Sequence, residues 1–128
     1  MTAIDSHAVL ALFHIFIIAP LFFTVAYMRS ATPDWLYWIF LILGCVIIAF
    51  HGYKMYLRYI QKSDGLWINA IHVFLVAPLL IYIGTMKKET LRFAYELLFM
   101  EGFAVLGYHT LSLIRSIETM DRLSTLGY

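Results

Sequence analysis

Charge is scarce in this sequence: Asp, Glu, Lys and Arg make up 13% of its 128 residues, about half the share a soluble domain carries. The few charges nearly cancel, leaving a net +1. That balance provides no basic face for phosphate backbones, so no nucleic-acid partner is expected. The single cysteine, Cys45, lies within an apolar run; it can form no intramolecular disulfide and is silent about redox compartment. There is no Gly-rich phosphate loop, nucleophile elbow, H-E-x-x-H pair or TVGYG filter, and no polar stretch long enough to house a nucleotide domain. These absences argue against ATP-driven chemistry, hydrolysis and potassium conduction.

What the chain has instead is apolar surface, at 62% hydrophobic residues. Between Ser6 and Met28 no residue carries a formal charge, and about 20 such residues suffice for a helix to cross a bilayer. Similar runs follow over residues 35–53, 66–86 and 93–114, separated by short polar connections at Arg29-Ser30, Lys62 to Gly65 and Lys87 to Glu89. The expected fold class is therefore an all-α membrane protein, a four-transmembrane-helix up-down bundle with the lipid bilayer as its first partner. No basic residue precedes the first span and its apolar stretch is long, so it reads as retained rather than cleaved. An even number of spans puts both termini on the same side. Lys54, Arg58, Lys62, Arg115 and Arg122 flank that side, against Arg29, Lys87, Lys88 and Arg92 on the other, a slight positive-inside preference for cytoplasmic termini. Tyr27, Trp35, Tyr37, Trp38 and Tyr95 near one face, with Tyr53, Tyr56, Tyr59 and Trp67 near the other, fit aromatic belts.

Shifting the sequence by 58 residues aligns 14–57 with 72–115 without a gap. Identities include His14 with His72, Pro20 with Pro78, Tyr37 with Tyr95, Gly44 with Gly102 and His51 with His109. Apolar composition alone would match Leu and Phe, not His and Pro. Each half reads H-x5-P and then Y-x6-G-x6-H, which points to tandem duplication of a two-helix hairpin. The first hairpin occupies residues 1–63 and the second 64–116, with 117–128 a short amphipathic or disordered tail. Repeats that each cross the membrane twice share one orientation, so a pseudo-twofold axis along the membrane normal is expected.

His14, His51, His72 and His109 each fall about 9 to 12 Å from the same end of their spans at 1.5 Å per residue. The heptad spacing of Tyr37, Gly44 and His51, and of Tyr95, Gly102 and His109, keeps each trio on one stripe. Polar side chains within a bilayer usually face the bundle interior, so the four imidazoles are expected to form an inward layer. A transition metal suits four imidazoles; haem b suits one diagonal pair, His14 with His72 or His51 with His109, with Gly44, Gly102, Tyr37 and Tyr95 packing around the macrocycle. Helix packing explains the same glycines, and histidines bonded only to one another and to neighbouring hydroxyls explain the layer with no cofactor at all.

Glu101 lies near the middle of the fourth span, where an acid is costly, and its counterpart is Leu43. A proton or ion pathway using Glu101 and the histidine layer is accordingly the alternative to a metal or haem redox function, with structural membrane assembly the third reading; whether any reaction is catalysed stays open. Pro20 and Pro78 remove a backbone hydrogen bond from the first and third spans and are expected to kink them. His7 has no counterpart and falls outside the layer. Homo-oligomerisation is expected of so small a bundle, with no outward interface identifiable.

Overall fold

In a computed structural model, which describes residues 6–127, the chain is helical almost throughout, and the described residues contain no strand. Helix 1 (Ser6–Ala31), helix 2 (Asp34–Gln61), helix 3 (Leu66–Glu89) and helix 4 (Arg92–Thr125) are each long and apolar enough to cross a membrane. Helix 4, with 34 residues, measures about 51 Å at 1.5 Å per residue and outlasts a hydrocarbon core of about 30 Å. Residues 117–125 continue this helix without a break and are exposed.

The helix ends follow local chemistry. Helix 1 tightens into a 3-10 turn at Arg29–Ala31, and Thr32 then turns extended, at φ −58° and ψ 130°, as the ring of Pro33 requires of the residue before it. Helix 3 closes in the same way at Lys87–Glu89, with Thr90 at φ −57° and ψ 129°, although Leu91 stands where the first connection has Pro33. Arg29 and Lys87, 58 residues apart, both take a positive φ, 51° and 50°. Helix 2 ends on Lys62 in the left-handed region, whose N–H reaches the Arg58 carbonyl, a C-terminal device that satisfies an otherwise orphaned acceptor. Gly65, at φ 84°, then starts helix 3. Arg58 ties this connection from above: its Nη1 donates to the Gly65 carbonyl at 2.7 Å.

Inside helices 1 and 3 the prolines act through the turn preceding them. His14–Ile18 and His72–Val76 are π-helical. The N–H groups of Ala19 and Ala77 reach back five residues to the carbonyls of His14 and His72. Widening the turn keeps backbone donors and acceptors engaged around a residue that has no N–H to give.

The helices pack as two compact units, one of residues 27–97 and one of residues 6–26 with 98–127. Each takes helical segments from both halves of the sequence. In the first, helix 2 lies along helix 3 with Tyr37, Phe40, Leu80 and Ile83 fully buried. Their approach is close because Gly44 and Gly84 carry no side chain. A Cβ on Gly44 would come within 2.6 Å of Ile81 Cγ1 and 3.1 Å of the Ala77 carbonyl. On Gly84 it would meet the Leu41 nitrogen at 2.6 Å and the Tyr37 carbonyl at 2.7 Å. Small residues play this part wherever helices associate in lipid, since burying apolar surface there yields little. In the other unit Ala11, Ala19, Phe22 and Val25 of helix 1 are buried, as are Leu98, Glu101 and Gly102 of helix 4. The Phe23 ring takes the space at Gly102. Large apolar side chains such as Phe16, Ile42, Phe74, Phe93 and Phe103 point outward, which suits a lipid solvent.

The obstacles around Gly84 are mainly backbone atoms, which cannot rotate away. Gly84→Ala is expected to destabilise the chain by about 1 to 3 kcal/mol, as overpacking does. Gly52 has open space around its Cα, so Gly52→Ala is expected to be neutral or stabilising by up to about 1 kcal/mol. Unfolding of the two variants by SDS titration in mixed micelles measures both, and an equal effect would refute the close-contact role of Gly84.

Candidate functional site

The four histidines of the expected layer form two stacked pairs. In one unit His51 of helix 2 stacks on His72 of helix 3, with ring centroids 4.1 Å apart and planes 10° from parallel. In the other unit His14 of helix 1 stacks on His109 of helix 4, at 4.1 Å and 18°. The partners are thus 14 with 109 and 51 with 72, each pair joining one histidine from either half of the sequence.

The hydrogen bonds fix how three of these rings are protonated. His14 Nδ1 lies 2.8 Å from the Leu10 carbonyl, and His72 Nδ1 lies 2.6 Å from the Ile68 carbonyl. A carbonyl only accepts, so both Nδ1 atoms carry hydrogen and donate. His51 Nδ1 lies 3.0 Å from Asn69 Oδ1. The amide orientation is set by its other end, where Asn69 Nδ2 donates to the Gly65 carbonyl at 3.4 Å. Oδ1 therefore faces the ring, and His51 Nδ1 is again the donor. In a neutral imidazole this assigns the lone pair to Nε2. Metal-ligating histidines are usually held in this way, with the second nitrogen donating to a carbonyl or carboxylate so that ring orientation and tautomer are both set.

The π-turns contribute to the arrangement. His14 and His72 are the first residues of their π-turns, so the same widened segment that absorbs each proline carries an imidazole whose Nδ1 is bound one turn back. Near-parallel stacked rings hold their in-plane lone pairs in separate planes, so neither pair by itself converges on one ion at the 2.0 to 2.1 Å that zinc needs. Among the described residues no group of three or more His, Cys, Asp or Glu side chains is arranged to hold a metal ion.

The remaining residues singled out in the sequence fall as follows. Tyr37 and Tyr95 meet hydroxyl to hydroxyl at 2.9 Å. Tyr37 also donates to the Arg29 carbonyl at 3.0 Å and Tyr95 to the Lys87 carbonyl at 3.2 Å. The two hydroxyls own two hydrogens for three contacts, so they share rather than divide them; the pair ties the ends of helices 1 and 3 to helices 2 and 4 at their positive-φ residues. Gly44 accommodates helix 3 and Gly102 accommodates Phe23. Glu101 is buried. His7 is exposed at the start of helix 1.

Asn69, 3% exposed, is the functional candidate that the sequence reading passed over. Its signal was available: an amide within an apolar span, three residues before a histidine, at a depth where polar groups need partners. The repeat hid it, because its counterpart 58 residues earlier is Ala11. Comparison with known proteins adds nothing to this geometry, since no protein-family model, curated protein or solved structure matches the chain.

Asn69→Leu is expected to release the fixed tautomer of His51 while leaving those of His14 and His72 unchanged, and to lower stability by about 0.5 to 1.5 kcal/mol, the net worth of one hydrogen bond. Nitrogen-15 NMR of ring-labelled histidines reads the tautomers directly. An unchanged His51 spectrum in the variant would remove Asn69 from the site.

Proposed function

We propose that this chain is a multi-pass integral membrane protein with cytoplasmic termini, an up-down bundle built from a duplicated two-helix hairpin with a pseudo-twofold axis along the membrane normal. In it His14, His51, His72 and His109 supply the imidazole ligands of a transition metal or haem b, and the bound group passes single electrons near one membrane surface.

The observation that carries the reading is the common anchoring of His14, His51 and His72 through Nδ1. A ring that needs only to satisfy its polar atoms is served by either nitrogen. Here the same nitrogen is committed three times, by two different kinds of acceptor, and Nε2 is the lone-pair atom each time. Holding a ligand's rotamer in this way lowers the entropy lost on coordination and raises its basicity. The lipid-like surroundings would then control potential and access. When bound, the group supplies one-electron chemistry; the chain's part is to present imidazoles in a fixed tautomer and to exclude water from them.

The duplication is supported by the recurrence of local devices at an offset of 58 residues: the π-turns, the 3-10 closures, the paired positive-φ residues and the two tyrosine-to-carbonyl bonds. The bilayer is the partner that the exposed apolar residues call for, and a second copy of the chain is the protein partner we expect.

The test is an absorption spectrum with elemental analysis on detergent-purified protein, before and after dithionite. A Soret band or a stoichiometric transition metal is expected, reduced at least tenfold in His14→Ala and His72→Ala variants that keep their helical circular dichroism. Colourless, metal-free, fully helical protein, expressed with iron and haem precursors supplied, would overturn the reading and leave the histidines a structural role.

A further inference from the structure

Helix 4 buries an acid that the described residues do not compensate. Glu101 is 8% exposed. Both its carboxyl oxygens are sealed from solvent, and neither meets a hydrogen-bond donor. The ion pairs among the described residues, Lys88 with Asp34 and Arg92 with Glu96, are exposed and do not involve it. Backbone donors cannot help, because the position is interior to a continuous helix from Arg92 to Thr125, whose N–H groups are committed to carbonyls one turn back. Nor can an arginine of helix 4 pair with it: Arg92 and Arg115, the nearest in sequence, are about 13 and 21 Å away along the axis. One side of this turn is closed by rings. Phe23, Phe99 and Phe103 form a mutual edge-to-face cluster, with centroids 4.9 to 5.4 Å apart, and Phe23 lies against Gly102, the next residue.

A bare carboxylate in such a place carries a desolvation penalty of several kcal/mol, which a leucine, as at the counterpart Leu43, avoids entirely. What the site lacks is a positive charge. A metal ion is a poor candidate, since hard cations require six or more oxygens. In this packing unit the side-chain oxygens of helix 1 belong to Ser6 and Thr24, both exposed, and the Thr24 hydroxyl donates to the Pro20 carbonyl. A proton needs only the one carboxyl. We propose that Glu101 is an intramembrane proton-binding site that loads and unloads a proton in the working protein.

The proposal is independent of the cofactor reading. Among the other titratable groups of the same unit, His14 and His109 are at least partly buried, with His109 two helical turns from Glu101, while His7, Tyr108, Arg115, Glu118, Asp121 and Arg122 are exposed.

Dicyclohexylcarbodiimide, an apolar reagent, tests it on the whole chain in phosphatidylcholine vesicles. The acid O–H adds across the carbodiimide and the acyl group migrates to nitrogen with nothing lost, so mass spectrometry of the digested chain finds the intact adduct on the reacting residue. The expected result is labelling at Glu101 that falls at least tenfold between about pH 5 and pH 9, is unchanged when sodium replaces choline, and disappears in Glu101→Gln. Glu101→Asp should restore it. No adduct at Glu101 at any pH, with labelling in the SDS-unfolded chain as control, would overturn the proposal. Labelling independent of pH would show a permanently held structural proton and would equally overturn it. Protection by sodium at constant pH would replace the proton by a metal cation. Each of these outcomes reads the same whether or not the protein carries metal or haem.

Discussion

A proline inside a membrane-length helix leaves backbone groups that no water can reach, and much of this arrangement follows from how helices 1 and 3 absorb that loss. In hydrocarbon each unsatisfied N–H or C=O costs several kcal/mol, so the helix has to find other partners locally. It does so here by widening one turn, at His14–Ile18 and at His72–Val76. The widened turn opens at a histidine whose carbonyl takes the five-residue bond and whose ring nitrogen bonds one turn back. Backbone repair and imidazole placement are thus a single structural event, repeated in both halves. A leucine in place of Pro20 or Pro78 would let an ordinary α-turn re-form and shift the register of every residue before it by a fraction of a turn, the histidine among them.

The second constraint is the shortage of apolar driving force between helices in lipid. Packing must then come from close contact and from hydrogen bonds made across helices. Gly44 and Gly84 supply the contact between helices 2 and 3, and Gly102 with the Phe23 ring supplies it between helices 1 and 4. Across helices the hydrogen bonds are those of the Tyr37 and Tyr95 hydroxyls and that of His51 with the Asn69 amide, while His14 and His72 bond within their own helices. Few polar side chains lie inside, and among the described residues nearly all of them have a partner. That economy makes the unpartnered oxygens of Glu101 informative, since the only other buried side-chain atom without a partner among the described residues is the Thr32 hydroxyl oxygen, a neutral group whose burial costs far less than that of a carboxylate.

The four membrane-length helices were legible because hydropathy over twenty residues averages out local detail. What periodicity does not carry is which neighbour a side chain meets. The stripe of Tyr37, Gly44 and His51 has the right spacing to share a face, yet the sequence cannot say that Gly44 meets helix 3, that Tyr37 meets Tyr95, or that His51 stacks on His72. The consequence of Pro20 and Pro78 was half legible: a missing N–H can be met by a bend or by a wider turn, and only the backbone path decides. Gly84 went unremarked for the same reason as Asn69. Its counterpart is Ala26, and a search for identities between halves passes over the positions where they differ.

Those differences are where the two halves acquire separate chemistry. Their backbone devices match closely, down to stacks with the same 4.1 Å ring separation. The side chains around them do not. His51 is held by the amide of Asn69, whereas its counterpart His109 has Ala11 at the equivalent place, which has no polar group to offer. Glu101 sits in helix 4 where helix 2 has Leu43. The stack of residues 51 and 72 therefore has both its rings tied through Nδ1, while the other unit holds the buried acid. The same backbone devices thus carry different polar neighbours in the two units: the Asn69 amide beside one stack, the Glu101 carboxyl in the unit that holds the other.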